Sequence, residues 1–312
     1  MVLLPLQKES EKEKERDKQP TRKMINLFED HNMVKYNIIP TGRVWVEPAG
    51  AFGLVPKALW GKYQTENDRN LIPMDLNSLL IIDGEKTILI DTGLGTKLSE
   101  KELLHWNLEF PEGTLLENLK KHNYSPKDIE IVINTHLHSD HCGGNTIMTE
   151  NGIVPQFPNA KYYVQRIEWA DLMNPSARTK HTYTKDNIQS IWKAGMLNFL
   201  HGDSNITENV KVKVVPGHSR SNQVIIIEGE THPTIFMGDL ASYAVNFTRE
   251  AWVPAYDLEP QENIRSKKEI QDYAYRTGAK IIFQHDTIIQ SGYLIKNEKG
   301  KWDIKVDQSG SD

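Results

Sequence analysis

Three histidines and an aspartate within six consecutive positions constrain this chain more than any other feature. The stretch is Thr135-His136-Leu137-His138-Ser139-Asp140-His141, and it follows an apolar run, Ile129 to Ile133, that is typical of a buried strand. Side chains two positions apart on extended backbone point the same way, so His136 and His138 can reach one metal ion. Asp140 and His141 lie past the bend and are offset towards a second ion. Imidazole nitrogens together with a carboxylate are ligands that Zn²⁺ accepts at roughly 2.0–2.2 Å.

Three further residues of ligand type follow other predicted strands. The run Val210 to Val215 precedes His218, Thr234 to Met237 precedes Asp239, and Ile281 to Phe283 precedes His285. Sites in α/β proteins form beyond the carboxyl ends of strands, so these residues converge on one rim. A lone histidine after a strand is more often a surface or capping residue, and hydrogen-bonded histidines on a polar loop are the alternative for the string itself. Together, however, the residues predict a dinuclear metal site.

Three neighbouring residues have weaker claims. Asp91 also follows a predicted strand, and its carboxylate can accept a hydrogen bond from a ligand histidine and orient it. Its alternative role is that of a turn aspartate. Asp286, beside His285, is a weaker candidate for orienting a ligand histidine. Cys142 is not expected to be a ligand and is predicted to fill a small buried volume.

The composition argues against several classes of protein. The chain has 37 Lys+Arg and 42 Asp+Glu, a formal net charge of −5, which argues against a nucleic-acid binder because such a protein needs a concentrated basic face. No apolar run approaches the ~18 residues of a membrane span. One cysteine excludes a disulfide framework and a Cys-rich zinc module. With no secretory signal in the sequence, we expect a cytoplasmic protein.

Strand-like and helix-like stretches are mixed from about Lys35 onward, as in a layered α/β domain. Asp83-Gly84 predicts a hairpin turn. Helical spacing predicts helices over 114–121, 168–173, 184–200 and 260–276. Ten of the eleven residues from Lys8 to Lys18 are charged, so residues 1–22 are predicted to be a disordered leader. One domain is predicted over 23–306, followed by a loose tail over 307–312.

The spaced set of histidines and aspartates resembles the metallo-β-lactamase-fold hydrolases, over a match from about Val44 to His285. Segments 50–57, 91–95, 238–240 and 252–257 are similar to quorum-quenching N-acyl-homoserine lactonases, a grouping that includes organophosphate-hydrolysing relatives. The resemblance implies an αβ/βα four-layer sandwich with a dinuclear metal site at one edge of its two sheets.

The resemblance also implies the metal ligands. One ion would be bound by His136, His138 and His218, the other by Asp140, His141 and His285, and Asp239 would bridge them. Two divalent ions are expected; zinc is the default, and the same nitrogen and oxygen ligands suit cobalt, iron or manganese.

This chain differs at single positions from several groups of proteins that share the metallo-β-lactamase fold. Zinc β-lactamases of the commonest subclass have a cysteine in the second site, where this chain has Asp239. Flavodiiron oxygen reductases usually have Glu where this chain has His138. The best-known lactonases have a Tyr three residues after the bridging Asp, whereas here Ser242 is at that position and Tyr243 follows it.

The leading expectation is a quorum-quenching lactonase that opens N-acyl-homoserine lactone rings by attack of a hydroxide that bridges the two ions. The expected partner is thus a small-molecule lactone or ester substrate. Tyr243 would help to polarise the carbonyl, and Asp140 would pass a proton to the leaving alkoxide. Phe52, Leu54, Trp60 and Tyr256 would line an apolar wall under an acyl chain, with ordinary core packing as their alternative role. A homodimer is the expected assembly.

Two alternatives stay open from sequence. One is another hydrolase on the same site, acting on phosphotriesters, β-lactams or thioesters. The other is a metal-dependent redox or binding protein without hydrolytic activity. Asp140, His141 and His285, which complete the second metal position, argue against the mononuclear oxygenase relatives.

Overall fold

The structure is a computed structural model that describes residues 34–307. The predicted leader 1–22 and residues 308–312 of the predicted tail lie outside the described residues. In chain order the strands are β1 (Lys35–Val46), β2 (Ile72–Asp83), β3 (Lys86–Ile90), β4 (Ile131–Ile133), β5 (Thr146–Thr149), β6 (Gly152–Pro155), β7 (Lys161–Gln165), β8 (Leu197–Leu200), β9 (Ser204–Asn205), β10 (Val210–Val214), β11 (Gln223–Ile227), β12 (Thr234–Phe236), β13 (Lys280–Ile282), β14 (Ser291–Lys296) and β15 (Trp302–Val306).

The helices are α1 (Pro48–Phe52), α2 (Lys57–Trp60), α3 (Glu100–Trp106), α4 (Leu115–Lys121), α5 (Ser139–Cys142), α6 (Arg166–Met173), α7 (Gln189–Lys193), α8 (Ala244–Thr248) and α9 (Pro260–Thr277). Short 3₁₀ turns span Gly143–Asn145, Lys185–Asn187 and Gly238–Leu240. Across residues 34–307, no helix combines the length and the apolar character that crossing a bilayer requires.

Two large sheets form the centre of the fold. The first has the strand order β1-β2-β3-β4-β7-β8 and the second β15-β14-β13-β12-β11-β10-β9, while β5 and β6 pair as a separate hairpin. The first sheet is antiparallel from β1 to β3 and parallel from β3 to β8. The predicted hairpin at Asp83-Gly84 is confirmed, because Asp83 pairs with Lys86 across the turn.

The apolar residues form a sandwich of four layers. Ile88 and Ile133 of the first sheet share one buried cluster with Ile225 and Phe236 of the second, so the two sheets pack face to face. Leu119 of α4 packs on the outer side of the first sheet, and Ile270 of α9 packs on the outer side of the second. Fully burying such a side chain stabilises the fold by roughly 1.5–3 kcal/mol. The predicted αβ/βα sandwich is confirmed.

The two principal outer helices have clear end signals. Thr114 caps α4 in a box with Glu117, in which each side chain accepts a hydrogen bond from the other residue's backbone N–H. Helix α9 begins at Pro260 and ends at Thr277, and the following Gly278 caps it with a left-handed φ of 67°. The predicted helices over 114–121 and 260–276 are therefore confirmed to within a residue at each end.

The predicted helix over 184–200 is wrong. Only Gln189–Lys193 is α-helical; Gly195 then adopts φ 70°, which ends the helix. Leu197–Leu200 becomes strand β8 and pairs in parallel with β7, with Phe199 opposite Val164. The apolar residues that suggested one long helix thus belong to a short helix and an edge strand. Asp307, the first residue of the predicted tail, continues the fold by donating its N–H to the Ser291 carbonyl at 3.1 Å.

Candidate metal centre

Loops at one edge of the two sheets bring together all seven side chains predicted as metal ligands. Each of them is buried: His136, His138, Asp140, His141, His218, Asp239 and His285. Their donor atoms form three sets within which all atoms lie within 4.8 Å of one another: His136/His138/His218, His136/His141/Asp239 and Asp140/His141/His285. The first and third sets are the two triplets that the resemblance implies.

Asp239 lies between the two triplets. Its Oδ2 is 3.1 Å from His218 Nε2 on one side, and its Oδ1 is 2.8 Å from His285 Nε2 on the other. His141 Nε2 is 3.5 Å from Asp239 Oδ2 and also 3.5 Å from Asp140 Oδ2. One carboxylate therefore contacts histidines from both sets, which is the arrangement that a bridging ligand needs.

Close backbone approach makes this geometry possible. A Cβ on Gly143 would lie 2.2 Å from the Leu94 carbonyl oxygen, and one on Gly144 would lie 2.3 Å from that of Thr92. Only glycine allows the turn after β3 to pack this tightly against the histidine string. The short helix α5 begins directly after His138, and its first turn directs Asp140 and His141 inward.

The donor atoms fit metal ions. His136 Nε2 and His138 Nε2 are buried and have no hydrogen-bond partner among residues 34–307. His138 Nδ1 also lies 2.9 Å from His218 Nε2, so two imidazole nitrogens face each other in a buried space. Buried polar atoms are rarely left unpaired. A divalent cation with nitrogen and oxygen ligands would satisfy these atoms.

The electrostatics of the cluster differ from one histidine to the next. Burial, together with the neighbouring histidines, holds the pKa of His136 and of His138 well below the usual value, which favours the neutral, metal-binding form. Burial also opposes charge on His141, but the carboxylates of Asp140 and Asp239 raise its pKa well above the usual value. Burial would raise the pKa of Asp239, yet the surrounding histidines lower it far below normal.

Hydrogen bonds on the far side of three rings orient them. Asp91 Oδ2 accepts from His141 Nδ1 at 2.9 Å, Asp257 Oδ1 accepts from His218 Nδ1 at 2.9 Å, and the Asp75 carbonyl accepts from His285 Nδ1 at 2.7 Å. With Nδ1 donating, each of these rings presents Nε2 to the cluster. Asp91 is held at φ 53°, and it also accepts from the backbone N–H and the hydroxyl of Thr135.

Two of the supporting carboxylates, Asp257 and Glu168, could not be predicted from the sequence. Asp257 lies in a segment that was noted only for its similarity to lactonases, and an aspartate between Tyr256 and Leu258 carries no periodic signal. In the sequence, Glu168 is recognisable only as the start of a predicted helix. It is buried and accepts hydrogen bonds from Leu137 and Ser219, the residues next to His138 and His218.

Asp286, which the sequence suggested as a residue that orients a ligand, accepts from the N–H groups of Ala244, Ile288 and Ile289, so it supports the local loop.

Tyr243 is fully buried, and its hydroxyl donates to the Pro73 carbonyl at 2.9 Å. Its ring stacks on Phe52, which in turn stacks on Trp60 at 5.3 Å between ring centroids. These three residues share one hydrophobic cluster. The Tyr243 hydroxyl would have to give up its bond to Pro73 before it could act on a substrate. Phe52 and Trp60 occupy the packing role that sequence left as their alternative, because no part of Phe52 is exposed.

The other two predicted pocket residues lie at the surface. Leu54 is completely exposed, and Tyr256 is 40% exposed. The Tyr256 hydroxyl lies against the Cα of Gly50, because a Cβ there would be only 2.0 Å from the oxygen. Burial raises the pKa of this phenol to about 12, with further contributions from the Asp140 and Asp239 carboxylates. Among residues 34–307 nothing hydrogen bonds to it.

The chain is similar to known proteins in both sequence and fold. Residues 72–285 match the metallo-beta-lactamase superfamily. An N-acyl homoserine lactonase of Bacillus thuringiensis is 30% identical over 215 residues, which are 65% of this chain and 77% of that protein. A probable metal-dependent hydrolase from Staphylococcus aureus superposes with a TM-score of 0.79 at 28% identity, covering 89% of this chain and 99% of the other. AidC, a dizinc quorum-quenching lactonase, superposes with a TM-score of 0.72 at 21% identity, over 89% of this chain and 96% of its own.

Proposed function

The chain belongs to the metallo-beta-lactamase superfamily and is a metal-dependent hydrolase, and we propose that it opens lactone rings at a dinuclear centre. N-acyl-homoserine lactones are the proposed substrates. The observation that carries this proposal is Asp239, whose two carboxylate oxygens lie 3.1 Å from His218 and 2.8 Å from His285 and so join the two ligand sets. The similarity to an N-acyl homoserine lactonase at 30% identity supports the choice of substrate.

The proposed ligands are the two triplets, with Asp239 shared between them. When bound, two divalent ions would polarise a carbonyl oxygen and lower the pKa of a water molecule towards ~7. Zinc is the proposed metal, because imidazole and carboxylate ligands suit it and because AidC, which has the same fold, is a dizinc enzyme. Elemental analysis should give two zinc ions per chain, and one ion per chain would contradict the dinuclear proposal.

The protein's own side chains then have separate roles. Asp140 lies at the rim of the cluster with 8% of its surface exposed, and it is proposed to take the proton left on the attacking oxygen and pass it to the leaving alkoxide. The carbonyl of the substrate needs a hydrogen-bond donor that is not already used. We assign that role to the Tyr256 hydroxyl, whose pKa is raised by burial and, in addition, by the Asp140 and Asp239 carboxylates. Tyr243, the residue expected from sequence, already donates to Pro73.

A substrate panel tests the activity. Purified protein should hydrolyse acyl-homoserine lactones with a higher kcat/KM than phosphotriesters, β-lactams or thioesters. Activity should be lost in His138→Ala and after chelation, and it should be retained in His201→Ala, a matched control at an exposed histidine. A protein with both metal positions filled and no lactone hydrolysis would refute the proposal. Oxygen consumption by an iron-loaded protein would favour the redox alternative.

The two tyrosines can be told apart by single-atom substitutions. Tyr256→Phe removes the free hydroxyl and is expected to lower kcat by about 10- to 100-fold while the two ions stay bound. In Tyr243→Phe, kcat should stay within about threefold, and the effect should be on stability instead. The reverse ranking would return the carbonyl role to Tyr243.

Assembly and compartment remain predictions. We propose a homodimer, which light scattering coupled to size exclusion would test against a monomer mass of 35.8 kDa. We also propose a cytoplasmic location, which fractionation of the source cells would test.

A further inference from the structure

We propose that Glu168 is a positioning residue for the metal centre, where its carboxylate ties the loop that carries His136 and His138 to the loop that carries His218. The inference rests on the proposed dinuclear site. It concerns how one half of that site is held, and nothing in the predicted ligand set accounts for it.

The carboxylate of Glu168 contacts both loops directly. It lies in α6, in the first turn, and only 1% of the residue is exposed. Oε2 accepts from the backbone N–H of Leu137, the residue between His136 and His138, at 3.2 Å. Oε1 accepts from the hydroxyl of Ser219, the residue directly after His218, and from that of Ser221 at 3.3 Å. Each loop is thus held one residue away from its ligand.

A fourth hydrogen bond extends this support to a ligand ring. The Tyr183 hydroxyl donates to Glu168 Oε2 at 3.1 Å. The Tyr183 ring lies 4.9 Å from the His138 imidazole, measured between centroids, and is itself buried. Glu168 therefore fixes the ring that packs on His138, as well as the backbone beside it.

Burying the Glu168 carboxylate costs free energy, so its hydrogen bonds to the two loops must offset that cost. Burial raises the pKa of Glu168, and the hydrogen bonds from Ser219, Leu137 and Tyr183 work against that rise. Arg220, the cation beside Ser219, forms its ion pair with Asp171 at the surface instead. The carboxylate is stabilised mainly by the groups that it holds in place.

The two halves of the site are supported by different groups. Glu168 acts on His138 and His218 of the first triplet. In the other triplet, His141 is oriented by Asp91 and His285 by the Asp75 carbonyl. Loss of the Glu168 contacts should therefore weaken one metal position and spare the other.

Metal titration of the metal-free protein tests this selectively. Zn²⁺ affinities are measured by competition with a chromophoric chelator, and Co²⁺ absorption reports the ligand geometry. In Glu168→Ala, we expect one ion to bind about 10- to 100-fold more weakly, the range seen when a group that supports a ligand is removed, and the other to bind within about threefold of wild type. Arg166→Gln, at an exposed position on the same helix, is the matched control and should bind both ions normally.

Two further variants distinguish the hydrogen bonds of Glu168 from its negative charge, and they provide a test that holds even if Glu168→Ala does not fold. In Glu168→Gln, the amide oxygen can accept from Leu137 and the amide NH₂ can donate to the serines, so both affinities should recover to within about tenfold. The double variant Ser219→Ala/Ser221→Ala frees only the His218 loop; it should weaken the same ion and decides the question if Glu168→Ala does not fold. Wild-type affinities for both ions in the alanine variants would overturn the inference. Two bound ions without lactone hydrolysis in wild type would instead refute the proposed function.

Discussion

Replacing Gly50 by alanine should disable the proposed role of Tyr256 without touching the tyrosine. A Cβ at position 50 would lie 2.0 Å from Tyr256 Oη, 2.3 Å from Cζ and 2.8 Å from Cε1, whereas ordinary contact begins at 3.4 Å. The ring must therefore move away by about 1 Å or more. Displacement of this size in a group that acts on the reacting atoms can cost about 100-fold in rate.

The same change should have little effect on folding. Tyr256 is 40% exposed, so its ring can swing towards solvent. Gly50 lies inside helix α1, where alanine is favoured over glycine by up to about 1 kcal/mol. We expect the free energy of unfolding of Gly50→Ala, measured in urea, to stay within about 1 kcal/mol of wild type.

A double-mutant cycle separates displacement of the Tyr256 ring from any other effect of Gly50→Ala. In the Tyr256→Ala background there is no ring to displace, so adding Gly50→Ala should leave kcat/KM for the lactone unchanged. An equal loss in both backgrounds would show that position 50 acts through something other than Tyr256. Full activity in Gly50→Ala, with a structure that shows the displaced ring, would refute the role of Tyr256 itself.

Three other predictions follow from buried polar groups. Asp257→Asn removes the charge that accepts from His218 Nδ1 and should weaken zinc binding about 10- to 100-fold in chelator competition; unchanged affinity would contradict that support. Tyr243→Phe leaves the Pro73 carbonyl without its donor and should lower the free energy of unfolding by about 1 kcal/mol in urea, so an unchanged midpoint would argue against the bond. Burial lowers the pKa of Lys267 from 10.5 to about 8, so the unfolded chain binds more protons between those values. Over that window the stability of wild type should rise relative to Lys267→Met by up to about 3 kcal/mol, and a constant difference would show that the lysine is not perturbed.

The sequence was sufficient for the sandwich and for the positions of the predicted ligands, because both depend on local patterns. His218, Asp239 and His285 could be proposed because each follows a short apolar run, and loops at one edge of the sheets bring them to the histidine string. Whether these residues bind metal stays a prediction until an ion is measured. The prediction of one helix over 184–200 was wrong, because apolar spacing alone does not distinguish one long helix from a short helix followed by a glycine turn and a strand.

Residues whose role depends on tertiary contacts were beyond sequence reasoning. Tyr243 and Tyr256 both follow Asp239 in the chain, and only the hydrogen bond from Tyr243 to the Pro73 carbonyl shows which hydroxyl is already engaged. Glu168 is 51 residues from Ser219 in sequence, so no spacing rule connects them. A carboxylate of this kind can be recognised only when the loops it contacts are known.

The placement of the ligands across both sheets has a consequence for how the chain folds. The string at His136–His141 follows a strand of the first sheet, whereas His285, 144 residues beyond His141, follows a strand of the second. Closing so long a loop costs conformational entropy before any ligand can meet its partner, and contacts of high sequence separation form slowly. The complete ligand set therefore exists only after the two halves of the sandwich have docked. Metal ions added during refolding should accelerate none of the early steps, and should instead slow the unfolding of the finished molecule.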